Sequence, residues 1–263
     1  MGRRTVLDYD RYRGAIVEQT DAFADLLAGR DTTTPVPSCP GWTVGQLARH
    51  VGYGHRWATE AVRGRGKPRT DRAMRELSQY VDEDPGELAH WLREGARELD
   101  AALGEAGPNV QVWTPVPGGR RTPEFFARRF AHETLVHRVD AVLALGERIV
   151  LAPDLAADAA DEWFALVEST WPRYLAEEHR ALHGPDRTLH FHATDEHAEW
   201  VVDLTGETFV WRHAHEKCAV AVRGPLQELL LLLYRRRPVE EAEVEVLGDA
   251  GLLVAWLEVS AFG

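Results

Sequence analysis

The sequence predicts a mainly α chain in two parts, a four-helix bundle followed by a small α+β domain. Three observations predict it. Apolar residues recur at helical spacing through the first half of the chain. After the stretch HGPDR (His183 to Arg187) the period changes to two. A long Pro/Gly-rich stretch, GPNVQVWTPVPGGRRTP, separates the third helical pattern from the fourth, as in bundles with one long crossover. The expected domains are 1–152 for the bundle, 153–183 for a connecting helical segment and 184–263 for the α+β part.

The first helix starts at Asp8 and carries Tyr9, Tyr12, Ile16, Phe23 and Leu27 on one side, ending near Gly29. DTTTPVPSCPGW follows as a Pro-rich loop. Thr43 and Gln46 then form a capping box: the Thr43 hydroxyl accepts from the N3 amide while Gln46 reaches back. Leu47, His50, Gly54 and Trp57 share one face of this second helix, which ends in the loop RGRGKPRTDR. Pro85 opens a third helix bearing Leu88, Trp91, Leu92, Leu99 and Leu103, with Gly104 near its end. The fourth has Thr122 as cap and Pro123 in its first turn. It aligns Phe126, Phe130, Glu133, His137 and Ala141 before Gly146. A further helix runs from about Leu155 to His183. Strand patterns come next in TLHFHAT, EWVVDL, ETFVWRH and CAVAVRG, then the helix PLQELLLLLYRR, the strand AEVEVLG and the helix DAGLLVAWLEVS.

Composition narrows the function. The chain is 44% hydrophobic and 27% charged, which describes an ordinary globular protein. Its formal net charge of −12 argues against nucleic acid as the main partner, since duplex binding needs a basic face. The arginine-rich stretch from Arg63 to Arg69 reads as a solvated loop. Apolar runs are too short to span a bilayer, and MGRRTV leads into no apolar signal segment, so a cytoplasmic location with no membrane partner is expected. Cys39 and Cys218 are far apart and form no CxxC, which leaves a thiolate zinc knuckle and a redox dithiol unsupported.

Glu133 and His137 stand one helical turn apart on an apolar stripe, where a carboxylate without a partner costs several kcal/mol. Two explanations suit it: a salt bridge to Arg129, Arg138 or another arginine, or ligation of a metal together with His137. The i, i+4 spacing puts both side chains within reach of one ion. His50 is a second polar residue on an apolar face of another helix. Two imidazoles and a carboxylate leave one position of a zinc ion open, as in catalytic sites. Asp140, three residues past His137, is placed to orient its imidazole. His132 and His55 lie off these stripes and read as surface or supporting residues. Cys39 and Trp42 read as packing in the CPGW turn. A rival set, His190 and His192 in HFH with His213 and His215 in HAH, also has metal-ligand spacing. The alternation there puts Leu189 and Phe191 on the opposite side, so those histidines are expected to face solvent or a domain interface.

VPSCPGWTVGQLARHVGYGHRW together with AHETLVHRVDA resembles the mycothiol-dependent maleylpyruvate isomerase family, whose first domain is a DinB-like four-helix bundle. HATDEHAEWVVDL, CAVAVRGPLQELLLLL and VEVLGDAGLLVAWL are similar to that family's C-terminal domain. The resemblance implies zinc, or another divalent metal, on His50, Glu133 and His137, which would carry catalysis through the ion. It implies mycothiol as cosubstrate and a small electrophile as second substrate, with S-transfer or maleylpyruvate-type cis–trans isomerisation as outcome. An actinobacterial source fits the arginine-heavy composition.

On this reading the protein carries one divalent ion per chain. The C-terminal domain offers Arg223 for catalysis and Arg235 and Arg237 for a thiol or substrate carboxylate, unless these arginines are a solvated helix end. A monomer or weak homo-oligomer is expected. Two other readings stay open: a zinc-dependent hydrolase using a metal-bound hydroxide, and a non-catalytic metal-binding module.

Overall fold

The structure, a computed structural model, describes residues 7–69, 76–116, 119–170 and 181–260. It divides into two units, 7–150 and, for the described residues, 151–260. The N-terminal MGRRTV and much of the helix expected up to His183 lie outside the described residues.

In the first unit, α1 (Tyr9–Leu26), α2 (Val44–Gly64), α3 (Pro85–Ala106) and α4 (Pro123–Ala144) form the bundle. Both α1 and α2 pack against α3 and α4, so α1 and α2 lie diagonally, and α2 runs beside α4. The expected capping box at Thr43 and Gln46 is present. Asp8 caps α1 and Asp84 caps α3 through side-chain acceptance from the N3 amides. Thr122 occupies the N-cap of α4, but its hydroxyl makes no capping bond. Pro123 lacks an N–H, so that helix start already has one donor fewer to satisfy.

Two glycines let the helices of the bundle close. A Cβ at Gly52 would stand 2.3 Å from the Trp91 ring of α3, and one at Gly54 would stand 2.9 Å from Phe130 of α4. The continuous core stripe of α2 is Val44, Leu47, Ala48, Val51, His55, Ala58 and Val62. His50, Gly54 and Trp57 therefore flank the core, while His55 sits within it.

The second unit holds α5 (Pro153–Thr170), β1 (Thr188–Ala193), β2 (Glu199–Asp203), β3 (Val210–Arg212), β4 (Val220–Gly224), α6 (Leu226–Leu233), β5 (Glu245–Gly248) and α7 (Ala250–Val259). The sheet order is β3-β2-β1-β4-β5, antiparallel except for the β1–β4 pair. Leu189, Phe191, Trp200, Val202, Val220 and Val222 are fully buried. Trp163 and Phe164 of α5 pack against Trp256 of α7 at ring-centroid distances of 5.3 and 6.1 Å, and Phe164 meets Phe191 at 5.8 Å. The segment read as a connector thus supplies large aromatic side chains to this core. No described helix is long and apolar enough to cross a membrane.

Candidate metal centre

Helix α4 is buried on nearly all sides. Its buried residues run from Phe126, Ala127 and Phe130 through Ala131, His132, Thr134, Leu135 and Val136 to Val139 and Asp140. Arg128, Arg129, Glu133 and His137 are the exceptions in that run, and Arg129, Glu133 and His137 share one accessible stripe. Of the stripe expected to be buried, Phe126, Phe130 and Ala141 are buried, whereas Glu133 and His137 form a more open patch. A helix between two neighbours buries more than half its circumference, so apolar residues on every side obscure which one faces out.

Packing of α2 beside α4 brings His50 to this stripe. His50 Nε2 and His137 Nε2 both lie 3.2 Å from Glu133 Oε1. The two imidazoles meet edge to face at 5.0 Å, and Trp42 from the CPGW turn packs on His50 at 4.8 Å. Side-chain exposures of 36% for His50, 30% for Glu133 and 13% for His137 leave one side of the triad open.

Two of the three donors, Glu133 and His137, are held from behind. Arg129 Nη2 donates to Glu133 Oε2 at 2.9 Å, which leaves Oε1 for the imidazoles. Of the two explanations for Glu133, the salt bridge to Arg129 is present and engages Oε2 alone. Arg138 points elsewhere, donating to Gln19 and to the Val150 carbonyl. His137 Nδ1 lies 2.9 Å from Oδ2 of fully buried Asp140, as expected for an orienting carboxylate. Asp140 also accepts from Ser38 Oγ at 2.6 Å and Cys39 Sγ at 3.5 Å. Cys39 therefore helps hold the carboxylate behind His137 as well as packing. The set Cys39, His137 and Asp140 is close enough to bind an ion itself, but its carboxylate is committed to Ser38 and the imidazole.

Burial opposes charge on Glu133, but His137, His50 and Arg129 outweigh it and hold the carboxyl well below its ordinary range. Burial also opposes protonation of His137. Glu133 and Asp140 overcome that and hold the imidazole well above its usual value.

Two histidines depart from their sequence reading. His132 is fully buried, edge-on to Tyr12 at 6.0 Å, and is no surface residue. His55 is also fully buried, with Nε2 2.9 Å from Thr134 Oγ1. Burial, then the charge of Arg56, pushes its pKa down to about 3, so it is neutral. His132 is buried because 100° off the open stripe of α4 points into the bundle, and His55 because it falls on the core stripe of α2.

The arginines of the C-terminal unit are placed as follows. Arg223 is exposed on β4 with Nη1 3.5 Å from Glu245. Arg235 is exposed with a φ of 56° just past α6. Arg237 Nη1 lies 2.6 Å from both oxygens of buried Glu228, an ion pair that ties down the chain after α6.

The donor set suits zinc: two imidazole nitrogens and one carboxylate oxygen on a half-open face. A tetrahedral ion with bonds of about 2.1 Å keeps its donors about 3.4 Å apart, close to the nitrogen–oxygen spacing in the triad.

Residues 13–142 match the family model described as the mycothiol maleylpyruvate isomerase N-terminal domain, and residues 154–255 match that of the MDMPI C-terminal domain. No curated protein matches in sequence. The crystal structure of the mycothiol-dependent maleylpyruvate isomerase superposes with a TM-score of 0.62 at 18% identity, covering 91% of this chain and 93% of that one. A histidine-to-alanine mutant of that enzyme gives the same TM-score and coverage at 16% identity. These structures show the fold, and the two family matches cover most of the chain in order. The chain belongs to the mycothiol-dependent maleylpyruvate isomerase family.

Proposed function

We propose that this protein is an enzyme that activates a low-molecular-weight thiol, mycothiol, for attack on a small electrophile, with His50, Glu133 and His137 as ligands of a zinc ion. The observation that carries this reading is the convergence of two Nε2 atoms on Glu133 Oε1 at 3.2 Å, with Glu133 and His137 fixed from behind by Arg129 and Asp140. Bound there, a zinc ion supplies the positive charge that keeps a thiol deprotonated near neutral pH.

The chain's own residues prepare that chemistry. Asp140 accepts from His137 Nδ1 and so presents Nε2 toward the open side. Arg129 anchors one oxygen of Glu133 and keeps the other turned inward. Trp42 walls one side of His50 and shields the site from bulk water. The thiolate then attacks an electrophilic carbon of the second substrate. If the adduct keeps its sulfur, the reaction is S-transfer. If rotation about the carbon–carbon bond and elimination follow, it is cis–trans isomerisation, and the thiol is released unchanged. The family points to maleylpyruvate-type isomerisation as the first reaction to test.

The test is turnover of the zinc-loaded protein with mycothiol against maleylpyruvate and a panel of electrophiles. Turnover that requires the thiol is expected. Ester or amide cleavage without thiol would make the protein a hydrolase, and bound metal without any turnover would make it a binding module.

A further inference from the structure

Outside the bundle, the structure gathers three histidines and a glutamate on the sheet. His192 of β1 is directly opposite Glu199 of β2, and His190 stands two residues away on the same face. β3 ends at Arg212. Beyond it, His213 keeps the chain against β2 by placing Nδ1 3.0 Å from the Glu199 carbonyl. That contact delivers His215 to the same carboxylate. His190 Nε2 and His192 Nδ1 each lie 2.9 Å from Glu199 Oε2, and His215 Nδ1 lies 2.6 Å from it. The three ring centroids are 5.4, 5.6 and 5.7 Å apart, a nearly equilateral triangle around one point.

Hydrogen bonding alone does not account for this arrangement. A carboxylate oxygen offers about two lone-pair directions, and three imidazole nitrogens crowd this one. The third, His192 Nδ1, is buried and close but makes no hydrogen bond in good geometry. His190 is only 6% exposed and so does not face solvent, one of the two placements expected of the strand histidines, whereas the His215 side chain is 76% exposed. The nearby cations have carboxylates of their own. Arg212 pairs with Glu216 and Asp203, and Arg223, opposite His192 on β4, pairs with Glu245. No guanidinium is needed to explain Glu199.

We infer that His190, His192, Glu199 and His215 form a second metal site, one that takes a divalent transition cation such as zinc. Their ligand atoms all lie within 4.8 Å of one another. Moving outward from Glu199 Oε2 by about 0.5 Å for His190 and His192 and about 0.8 Å for His215 would give the nitrogen–oxygen spacing of about 3.4 Å that a tetrahedral ion imposes. Four protein donors close the coordination sphere, so this site is structural. It staples β1, β2 and the segment after β3, which His213 also holds to β2. His213 is not a member, because its Nε2 turns to Asp161 of α5 at 3.0 Å.

The test uses the full chain, stripped with a chelator and dialysed against zinc, with metal counted per chain. The wild type is expected to bind two ions. The His190→Asn/His192→Asn double variant and, separately, His50→Asn are each expected to bind one. His215→Asn guards against a folding artefact, since that side chain is 76% exposed and its replacement leaves the core intact. It is expected to weaken the second ion at least tenfold and to abolish the rise in melting temperature that this ion gives. A double variant and His215→Asn that both bind zinc like the wild type would overturn the sheet site. So would a wild type binding one ion that His50→Asn removes, which leaves the bundle reading standing. One ion that survives His50→Asn and is lost in the double variant would uphold the sheet site and overturn the bundle site.

Discussion

The bundle and the sheet each bring imidazoles to one carboxylate oxygen, from opposite kinds of sequence. In the bundle, His50 and Glu133 are 83 residues apart and meet only because α2 packs beside α4. In the sheet, Glu199 is 9 residues from His190 and 16 from His215, and local strand pairing suffices. The bundle donors stand 3.2 Å apart, near the spacing an ion imposes, while the sheet donors have closed to 2.6–2.9 Å on their carboxylate. The bundle keeps a half-open side, with Arg129 behind Glu133 and Asp140 behind His137. The sheet set completes four positions by itself. An open, braced site suits chemistry, and a closed one suits stapling.

The largest expected effect that would break this comparison is on Glu133. Glu133→Gln keeps the shape but removes the charge that neutralises the ion. Zinc affinity of the bundle site should fall at least about a hundredfold, with thiol-dependent turnover, while the sheet site is unchanged. Arg129 loses an ion-pair partner, and the metal-free protein should lose about 1–2 kcal/mol, between the values for exposed and buried pairs. Metal titration beside thermal melting separates the two effects. Normal zinc binding with a destabilised metal-free protein would make Glu133 a salt-bridge residue only.

Asp140→Asn comes next. It leaves the three ligands in place and weakens the orienting bond to His137 Nδ1, so zinc affinity should drop about 10- to 100-fold. Isothermal titration on the variant checks this, and an unchanged affinity would remove Asp140 from the account.

The smallest effect separates an imidazole that is part of the core from those that ligate. His55 has a folded-state pKa of about 3 against an ordinary 6.5. Between these values the unfolded chain binds the proton that the folded one refuses. Its contribution to stability is therefore full above pH 6.5 and is lost as pH falls toward 3. In metal-free protein, His55→Gln should make the fall in melting temperature between pH 7 and pH 4 shallower, by on the order of 5 °C. An identical slope would show that His55 is not a neutral buried group.

The sequence made the bundle site legible because Glu133 and His137 at i, i+4 interrupt an apolar pattern, and His50 interrupts another. The family resemblance named the same three residues. The supporting contacts were harder to see. Asp140 and Arg129 were readable from their spacing to His137 and Glu133, whereas Ser38 and Cys39 depend on how the CPGW loop packs against α4. Burial of His132 was missed because a helix enclosed on most sides has no clean polar face, and that of His55 because the core stripe of α2 runs through Val51 and Ala58 rather than through His50. The sheet cluster was hidden for another reason. Glu199 looks like any outward strand residue, and HAH lies past the end of β3, where alternation no longer says which way a side chain points. Register, not pattern, brings those residues together.

The central claim is that a metal on the bundle triad serves a thiol-dependent reaction. His50→Asn tests it most directly, since His50 is half exposed and lies outside the Arg129–Glu133 pair. The measurement is kcat/KM of the mycothiol-dependent reaction as zinc is added to stripped wild type and variant. The account predicts activity that rises to a plateau in the wild type. In the variant it predicts a loss of at least about a hundredfold at equal zinc, with the metal-free melting temperature unchanged within a few degrees. A variant that follows the wild-type zinc curve would contradict it.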